Sequence, residues 1–487
     1  MNRFSLFWTA ASTKYALAAA LLFLLWLRWE TRSRYLLNWD AVNYALALDH
    51  FDMRLKQPHF PGYYLFVQIA RLAERWTGEA NSALTLVSAV FGVLFAGALY
   101  LLARDIRDRQ AGVLAAFLGI TGPTCWYQSS FASSRIAEGF FAALIAWLCL
   151  RVRVRGDQWA FWLLPVALAV GAGVRQQTLL FVLPLCLWAT WQVPFRKRVV
   201  AGLLTAAGIF WWLVPMLVSS GGLAEYRRLN QEIWDVFVVN GTGVWYAPTL
   251  AGVWDRFVLN NTRIVLFTVF CCLGGLPVCV WAVRRHGGSF ISDNRRMLAL
   301  AIVPVMLFFV LVHCDEIGHV MAYAPFFLVA TALAVQKIEP LALRNAVGAG
   351  LVISNLAFVL FYPARLFGDL QTTPTVATFR QHDTFLRQSL AALKQQADPE
   401  TTLVVTRPGL GRFLDYYAPQ YEKQSIVFSQ PIYLPPDKPR LALWTKRSST
   451  LASLSAPYGK HKIWSSSNVA VFHAPATRYF VFAPPPK

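Results

Sequence analysis

Of 487 residues only 14% are charged while 56% are hydrophobic, and the formal net charge is +20. Soluble globular proteins carry about 25% charged residues, so a water-soluble enzyme of this length is excluded. The positive excess does not point to nucleic acid either. It falls in short clusters between apolar runs, Arg104/Arg107/Arg109, Arg151/Arg153/Arg155, Arg196/Lys197/Arg198, Arg284/Arg285 with Arg295/Arg296, and Lys337 with Arg344, which is how cytoplasmic loops of membrane proteins are marked.

The first apolar run, Ala16–Leu27, follows Arg3 and Lys14 and lacks a clear small-residue cleavage site, so it reads as an uncleaved first span. With every basic cluster in the cytoplasm, the hydrophobic pattern predicts about 11 transmembrane helices. They fall near 13–29, 81–103, 110–127, 134–150, 158–174, 178–193, 199–219, 262–283, 297–313, 319–336 and 344–362. A long first outer loop (30–80) contains two amphipathic stretches, Leu36–Phe51 and Gln68–Trp76, expected to lie along the membrane surface. The fifth and sixth spans form a hairpin. A single helix between Arg155 and Arg196 would run about 60 Å, twice a bilayer core, and the only polar break is Arg175-Gln176-Gln177-Thr178. Each arm of about 16 residues covers about 24 Å, short of the ~30 Å core, which sinks the tip and turns Arg175 toward a water-lined cavity. Two further outer loops follow, at 220–260 and 313–319.

From residue 363 the composition becomes that of a soluble domain. A helix at 376–396 and strands at Thr402–Thr406, Ser425–Phe428, Leu441–Thr445, Lys462–Ser465, Val469–His473 and Tyr479–Phe482 predict a small α/β fold. Its Pro408-Gly409-Leu410-Gly411 segment reads as a turn. The expected organisation is thus a transmembrane domain over 1–362 and an extracytoplasmic α/β domain over 363–487, with the N-terminus cytoplasmic. Seven cysteines lie in or at the ends of apolar runs with no Cys-x-x-Cys spacing, so neither a disulfide framework nor a zinc site follows.

Polar residues with chemical potential gather on the outer side of this topology. Asn38-Trp39-Asp40-Ala41-Val42-Asn43-Tyr44 comes soon after the first span, and Pro58-His59-Phe60-Pro61-Gly62-Tyr63-Tyr64 precedes the return to the membrane. An acid beside an apolar surface can serve as a general base; an isolated Asp40 would otherwise be a helix cap. Arg135 and Glu138 open the fourth span at a spacing that allows them to pair. His313, Asp315, Glu316 and His319 crowd the short loop, a set that could ligate a divalent metal, but loop spacing fixes no geometry and no metal is assigned. Asp40, His59, Arg135, Glu138, Arg175 and His319 all fall at or just inside the outer surface. An acid with several cations between lipid and water suits an amphiphilic substrate bearing phosphate.

In order and spacing these motifs resemble those of the GT-C superfamily of integral-membrane glycosyltransferases, and most the group of protein O-mannosyltransferases and the lipid A aminoarabinose transferase (glycosyltransferase family 39-like). Those proteins carry an acidic motif and then a His-Pro-Pro-Gly-like segment in a long first loop; Asp40 with Tyr44, and His59-Phe60-Pro61-Gly62-Tyr63, stand in those places. Ser134-Arg135-Ile136-Ala137-Glu138-Gly139-Phe140-Phe141 resembles their acid at the start of the fourth span. Arg175-Gln176-Gln177-Thr178 resembles an Arg-Pro-Thr turn, and His319-Val320-Met321-Ala322-Tyr323-Ala324-Pro325 an Arg-Tyr-x-x-Pro segment. The likeness covers the membrane body, most strongly 36–64 and 130–195. Ala41 stands where Glu is usual, Gln176 where Pro is, and His319 where Arg is common.

The resemblance implies an inverting glycosyltransferase of the cell inner membrane that uses a polyprenyl-phosphate-linked sugar and no nucleotide. The acceptor would be a lipid, a glycan or a protein. Asp40 and Glu138 would be the catalytic pair, and Tyr44, His59, Arg135, Arg175, His319 and Tyr323 would bind substrate. Two other readings fit a polytopic chain: a flippase of lipid-linked sugars, and a non-catalytic member of the same fold. Transporters tend to show internal repeats and midplane polar breaks; the sequence has no such repeat, and its polar residues cluster at one end.

Overall fold

In the computed structural model, residues 10–287, 291, 294–364, 373–446 and 448–482 are described; Arg3 and the stretch 365–372 lie outside them. The chain is mostly helical with a small C-terminal sheet region. It divides into two compact units, Met1–Arg32 with Ala47–Thr378, and Ser33–Leu46 with Phe379–Lys487. Ser33–Leu46, read from sequence as part of the first outer loop, is grouped with the tail.

In the first unit, α1 (Ala10–Thr31), α3 (Tyr64–Thr77), α4 (Ala80–Ile106), α5 (Arg109–Thr121), α6 (Pro123–Gln128) and α7 (Arg135–Leu150) precede a helical hairpin. Its arms are α8 (Gln158–Val174) and α9 (Gln177–Thr190). Then come α10 (Phe195–Ser219), α11 (Gly222–Trp234), α12 (Leu250–Cys271), α13 (Gly275–His286), α14 (Arg295–Leu311), α15 (Ala324–Val335) and α16 (Leu341–Phe361). Among the described residues, α4, α10 and α16 are by themselves long and apolar enough to cross a membrane, and α12 with α13, bent by 97°, adds a fourth if the two are one span. Length and hydropathy thus mark three or four crossings where the sequence pattern led us to expect 11. Of α4's apolar window 61% is buried, against 11% for α10, so α4 is central and α10 peripheral.

Three expected spans are interrupted. The run at 110–127 breaks at Gly122 between α5 and α6, the run at 262–283 breaks between α12 and α13, and the run at 319–336 begins as a 3₁₀ turn, Ile317–Ala322. The hairpin at 175–176 falls where the polar break placed it. Its arms of 17 and 14 residues measure about 25 and 21 Å, each short of a ~30 Å core. At the opposite end, several of the basic clusters are tied down. Asp105, whose side chain is 3% exposed, pairs with Arg104 (2.9 Å), Arg151 (3.2 Å) and Arg155 (3.4 Å) and accepts from Trp147 Nε1 (2.9 Å). One acid thereby fixes the ends of α4 and α7.

The second unit holds α17 (Val376–Gln396), β1 (Thr402–Thr406), α18 (Pro408–Tyr417), β2 (Lys423–Ser425), β3 (Pro431–Tyr433), β4 (Arg440–Trp444), α19 (Ser448–Ser455), β5 (Lys462–Ser465), β6 (Val469–His473) and β7 (Tyr479–Val481). The main sheet runs β2-β1-β4-β6-β5, with β1 parallel to both neighbours and β4–β6 and β5–β6 antiparallel; β3 and β7 form a separate antiparallel pair. Leu403, Val405, Leu441, Leu443, Ala470 and Phe472 fill its core. The Pro408–Gly411 segment is the first turn of α18.

Side-chain bonds explain why Ser33–Leu46 groups with the tail. Asp383 on α17 accepts from Ser33 Oγ (3.0 Å), Arg34 N–H (2.8 Å) and Tyr35 N–H (3.2 Å). His382 Nε2 meets the Leu36 carbonyl (2.9 Å), the Leu36 N–H reaches Tyr417 Oη (2.8 Å), and Arg412 Nε donates to Asn43 Oδ1 (2.7 Å). This stretch includes the start of α2 (Trp39–Asp49).

Candidate active site

Two charges define the site inside the first unit. Arg175 ends α8 and Glu138 lies in the first turn of α7; their Nε–Oε2 separation is 2.8 Å, with side chains 3% and 2% exposed. A lone charge at such burial would be strongly unfavourable, and pairing makes it tolerable. Arg175 Nη1 also donates to Ser134 Oγ (3.2 Å), and its guanidinium lies 5.4 Å from the Tyr63 ring centroid. Its Nη2 makes no hydrogen bond among the described residues and is left to meet a ligand.

Tyr63 links this pair to the Pro-rich segment. Its ring is 5.0 Å from that of His59, and its backbone sits at φ 45°, in the left-handed region that non-glycine residues rarely occupy. Gly62 at φ 112° precedes it, with no room for a side chain, since a Cβ would fall 2.7 Å from Met216 Sδ and 2.8 Å from Met53 Sδ. Gln176 Nε2 donates to the Pro61 carbonyl (2.9 Å), a bond that the Pro usual at this position in the resembling proteins could not make. His59 is 8% exposed. Burial first, then the Arg175 and Arg135 charges, push its pKa down to about 3, so the imidazole is neutral near pH 7.

The expected pairing of Arg135 with Glu138 along α7 does not form. Arg135 Nη2 instead meets Glu316 Oε2 at 2.6 Å, because the 313–319 loop lies against α7. Gly318 permits that approach, as a Cβ there would sit 2.9 Å from Arg135 Cγ. Glu316 and His319 cap the 3₁₀ turn reciprocally. Thr242 Oγ1 meets His313 Nδ1 (2.7 Å), and His313 Nε2 lies 3.1 Å from Asp315 Oδ1. Burial works to raise the Asp315 pKa, but the hydrogen bond and charge of His313 and the charges of Arg135 and Arg263 hold it below the usual carboxylate value. Tyr323 spends its hydroxyl on Thr268 Oγ1 (2.9 Å) and the Ile264 carbonyl (3.3 Å), while Phe309 packs against both its ring and that of His319.

Among the described residues there is one cluster with metal-like chemistry. His313, Asp315 and His319 bring one donor atom each within 4.8 Å of one another. Two imidazoles and a carboxylate suit zinc-like ions, and the Thr242 contact would orient His313 as a supporting partner does. The nearby Arg135 and Arg263 oppose a dication.

In the first unit, Glu138, Arg175 and His59 are connected through Ser134 and Tyr63, and Arg135, His319 and Tyr323 gather around Glu316 and Phe309. Asp40 and Tyr44 lie on α2 within the second unit. Asp40 is half-buried and Tyr44 2% exposed. The cap expected of an isolated Asp40 is supplied by Asn38, whose Oδ1 accepts from Ala41 N–H at 2.9 Å. Glu316, Ser134 and Gln176 were not singled out as site residues from sequence. Glu316 stood in a loop already notable for its charge, whereas Ser134 and Gln176 carried no signal beyond adjacency to Arg135 and Arg175.

No family model matches the sequence, and no curated protein matches it. Among solved structures, ArnT from Cupriavidus metallidurans bound to undecaprenyl phosphate aligns over 98% of this chain and 100% of its own, at 12% identity and a TM-score of 0.59. The apo state of the same protein covers the same shares at 13% identity and a TM-score of 0.55. The chain shares the fold of ArnT. ArnT is the lipid A aminoarabinose transferase, itself a GT-C superfamily member, so a protein of the group that the motifs resemble is matched in fold along essentially the whole chain. The inhibitory-peptide and dolichol-phosphate complex of the oligosaccharyltransferase AglB from Archaeoglobus fulgidus aligns at a TM-score of 0.49 and 13% identity, over 94% of this chain and 72% of that one.

Proposed function

We propose that this membrane protein is an inverting glycosyltransferase that moves a sugar from a polyprenyl-phosphate donor to an acceptor lipid, glycan or protein. It would act at the outer face of the inner membrane, with the N-terminus cytoplasmic and the tail domain periplasmic. The observation that carries the reading is the buried Glu138–Arg175 pair with its remaining guanidinium donor, set in a fold shared with a protein solved with undecaprenyl phosphate.

In this reading the charge that develops on the departing polyprenyl phosphate is taken up by Arg175, whose plane Glu138 and Ser134 fix beforehand. Preorganised donors of this kind act most strongly in a water-poor site. His59, neutral near pH 7, contributes an N–H donor and not a charge. Arg135, held by Glu316, adds positive potential, and Tyr323 and His319 support that wall. Asp40, the acid of the first-loop motif, is assigned the acceptor hydroxyl's proton because of its motif position, as the acceptor attacks the anomeric carbon and the phosphate leaves from the opposite face.

A general base contributes about 10²–10⁴-fold. The test is transfer of labelled sugar from a synthetic polyprenyl-phosphate donor by membranes carrying Asp40→Asn or Arg175→Gln. A loss of at least about 10²-fold in both supports the assignment; wild-type transfer by Asp40→Asn would remove Asp40 from the mechanism. Mass spectrometry of lipids and glycans from a deletion strain would name the sugar and the acceptor.

A further inference from the structure

A second feature of the first unit lies away from this site, at the end that carries the basic clusters. A groove of about 550 Å³ opens between α5 and α16, with the end of α15 at its rim. Arg109, Arg344 and Gln336 line its mouth, and Leu114, Phe117 and Ile353 line its length. Both bordering helices run from their N-termini at the polar mouth toward the apolar end. From Arg109 to Phe117, or from Arg344 to Ile353, each advances about 12–14 Å, close to half of a ~30 Å bilayer core. The groove is therefore polar at one end and apolar over about the depth of one leaflet.

Three side chains at the mouth are left without partners among the described residues. Arg104, Arg151 and Arg155 are paired to Asp105, and Arg107 to Asp108. Among the described residues, the side chains of Arg109 and Arg344 make no ion pair or hydrogen bond. Asp108, the nearest acid in sequence, is occupied by Arg107 and by capping α5 through Ala111 N–H (2.8 Å). Gln336 is 7% exposed, and its Oε1 is a buried acceptor with no donor. Buried polar atoms normally find a partner, so this one points to a ligand group that donates.

We propose that this groove binds an anionic phospholipid with a hydroxyl-bearing headgroup, its phosphate between Arg109 and Arg344, a headgroup hydroxyl on Gln336 Oε1, and one acyl chain along Leu114 and Phe117. Two guanidinia match a phosphate diester, and basic pockets between membrane helices recognise anionic lipids in this way. Gly348 forms part of the floor. A Cβ there would lie at 3.6 Å from Leu114, so any longer side chain would enter the space assigned to the acyl chain.

The experiment uses the full-length protein in detergent, with native mass spectrometry after titration with phosphatidylglycerol, phosphatidylcholine of the same acyl chains, or inorganic phosphate. Phosphatidylglycerol is expected to be retained about thirtyfold more tightly than phosphatidylcholine, from two arginines near the surface, and inorganic phosphate not retained. Arg109→Gln/Arg344→Gln, at an exposed and a half-buried position without partners to lose, should abolish the preference, and Gly348→Leu should weaken both lipids. Equal retention of the two lipids, a preference that survives the double substitution, or phosphate binding as tight as lipid binding would each overturn the proposal. None of these readouts depends on transfer activity, so the result stands apart from the transferase reading.

Discussion

Glu138 and Arg175 make the sharpest prediction at the scale of single residues. Each is nearly inaccessible, at 2% and 3% exposure, so removing one leaves the other as a buried, uncompensated charge. Loss of one partner of such a pair typically costs about 3–5 kcal/mol, whereas removing both is often close to neutral. Glu138→Gln and Arg175→Gln should each lower the thermal midpoint of the purified protein clearly, and the double variant should regain most of it without regaining transfer. If the double variant is as unstable as either single one, the pair is not the element that matters. His59 supports a second prediction. Its pKa lies near 3, below the ordinary 6.5, so the folded site excludes the proton that the unfolded chain would bind. The stability this represents is complete above pH 6.5 and is lost as the pH falls from 6.5 toward 3. Between pH 7 and 8 the imidazole does not titrate, so His59→Gln should lower transfer without changing the shape of its pH profile there. Arg175 was legible in the sequence because arithmetic on helix length forced a polar tip at that point. Its partner was not. Local spacing offers Glu138 to Arg135, while the actual partner arrives from a hairpin 37 residues further along.

Among the elements, the break between α12 and α13 shows where hydropathy stops being informative. The run Phe270-Cys271-Cys272-Leu273-Gly274-Gly275 is apolar or small throughout, and 262–283 therefore reads as one span. The structure bends by 97° there, with Gly274 at φ 79°. Asn355, fully buried on α16, explains how the bend is held, since its Oδ1 accepts the Leu273 N–H at 2.8 Å. Asn355→Leu would leave that N–H unmet in apolar surroundings, at a cost of about 1–3 kcal/mol. We expect a matching fall in thermal midpoint and faster hydrogen exchange over 270–276, with exchange in α4 unchanged. An unaltered midpoint would mean that the bend is set by Gly274 and Gly275 alone. The tail was easier to read, because alternating apolar strands give a strong local signal. There α17 spans 376–396 as expected and β1, β5 and β6 match residue for residue. The three-residue strand β3 was missed, since it begins at Pro431 and is too short to show a period.

At the scale of the whole molecule, orientation follows from parity. Arg155 stands before α8 and Arg228 lies on α11, after α10. Between them, α8 and α9 go in and back as the arms of a hairpin, too short to cross on their own, so they cancel. The net crossing is made by α10 alone, whose 25 residues reach about 37 Å, more than a ~30 Å core. If α10 crosses, as its length and hydropathy allow, Arg155 and Arg228 face opposite sides whatever the depth of the hairpin tip. Under the proposed orientation the Arg151/Arg153/Arg155 cluster would place Arg155 in the cytoplasm, and Arg228, 59% exposed at its side chain, outside. The native cysteines suit a labelling experiment, because six of the seven are buried and Cys279 is half-buried. A membrane-impermeant maleimide applied to intact spheroplasts should modify Arg228→Cys and leave Arg155→Cys unmodified until the membrane is opened. Labelling of both from outside would show that α10 does not cross. The reverse pattern would turn the whole body over, moving Arg175 and Glu138 to the cytoplasmic leaflet, where a periplasmic transfer reaction has no place.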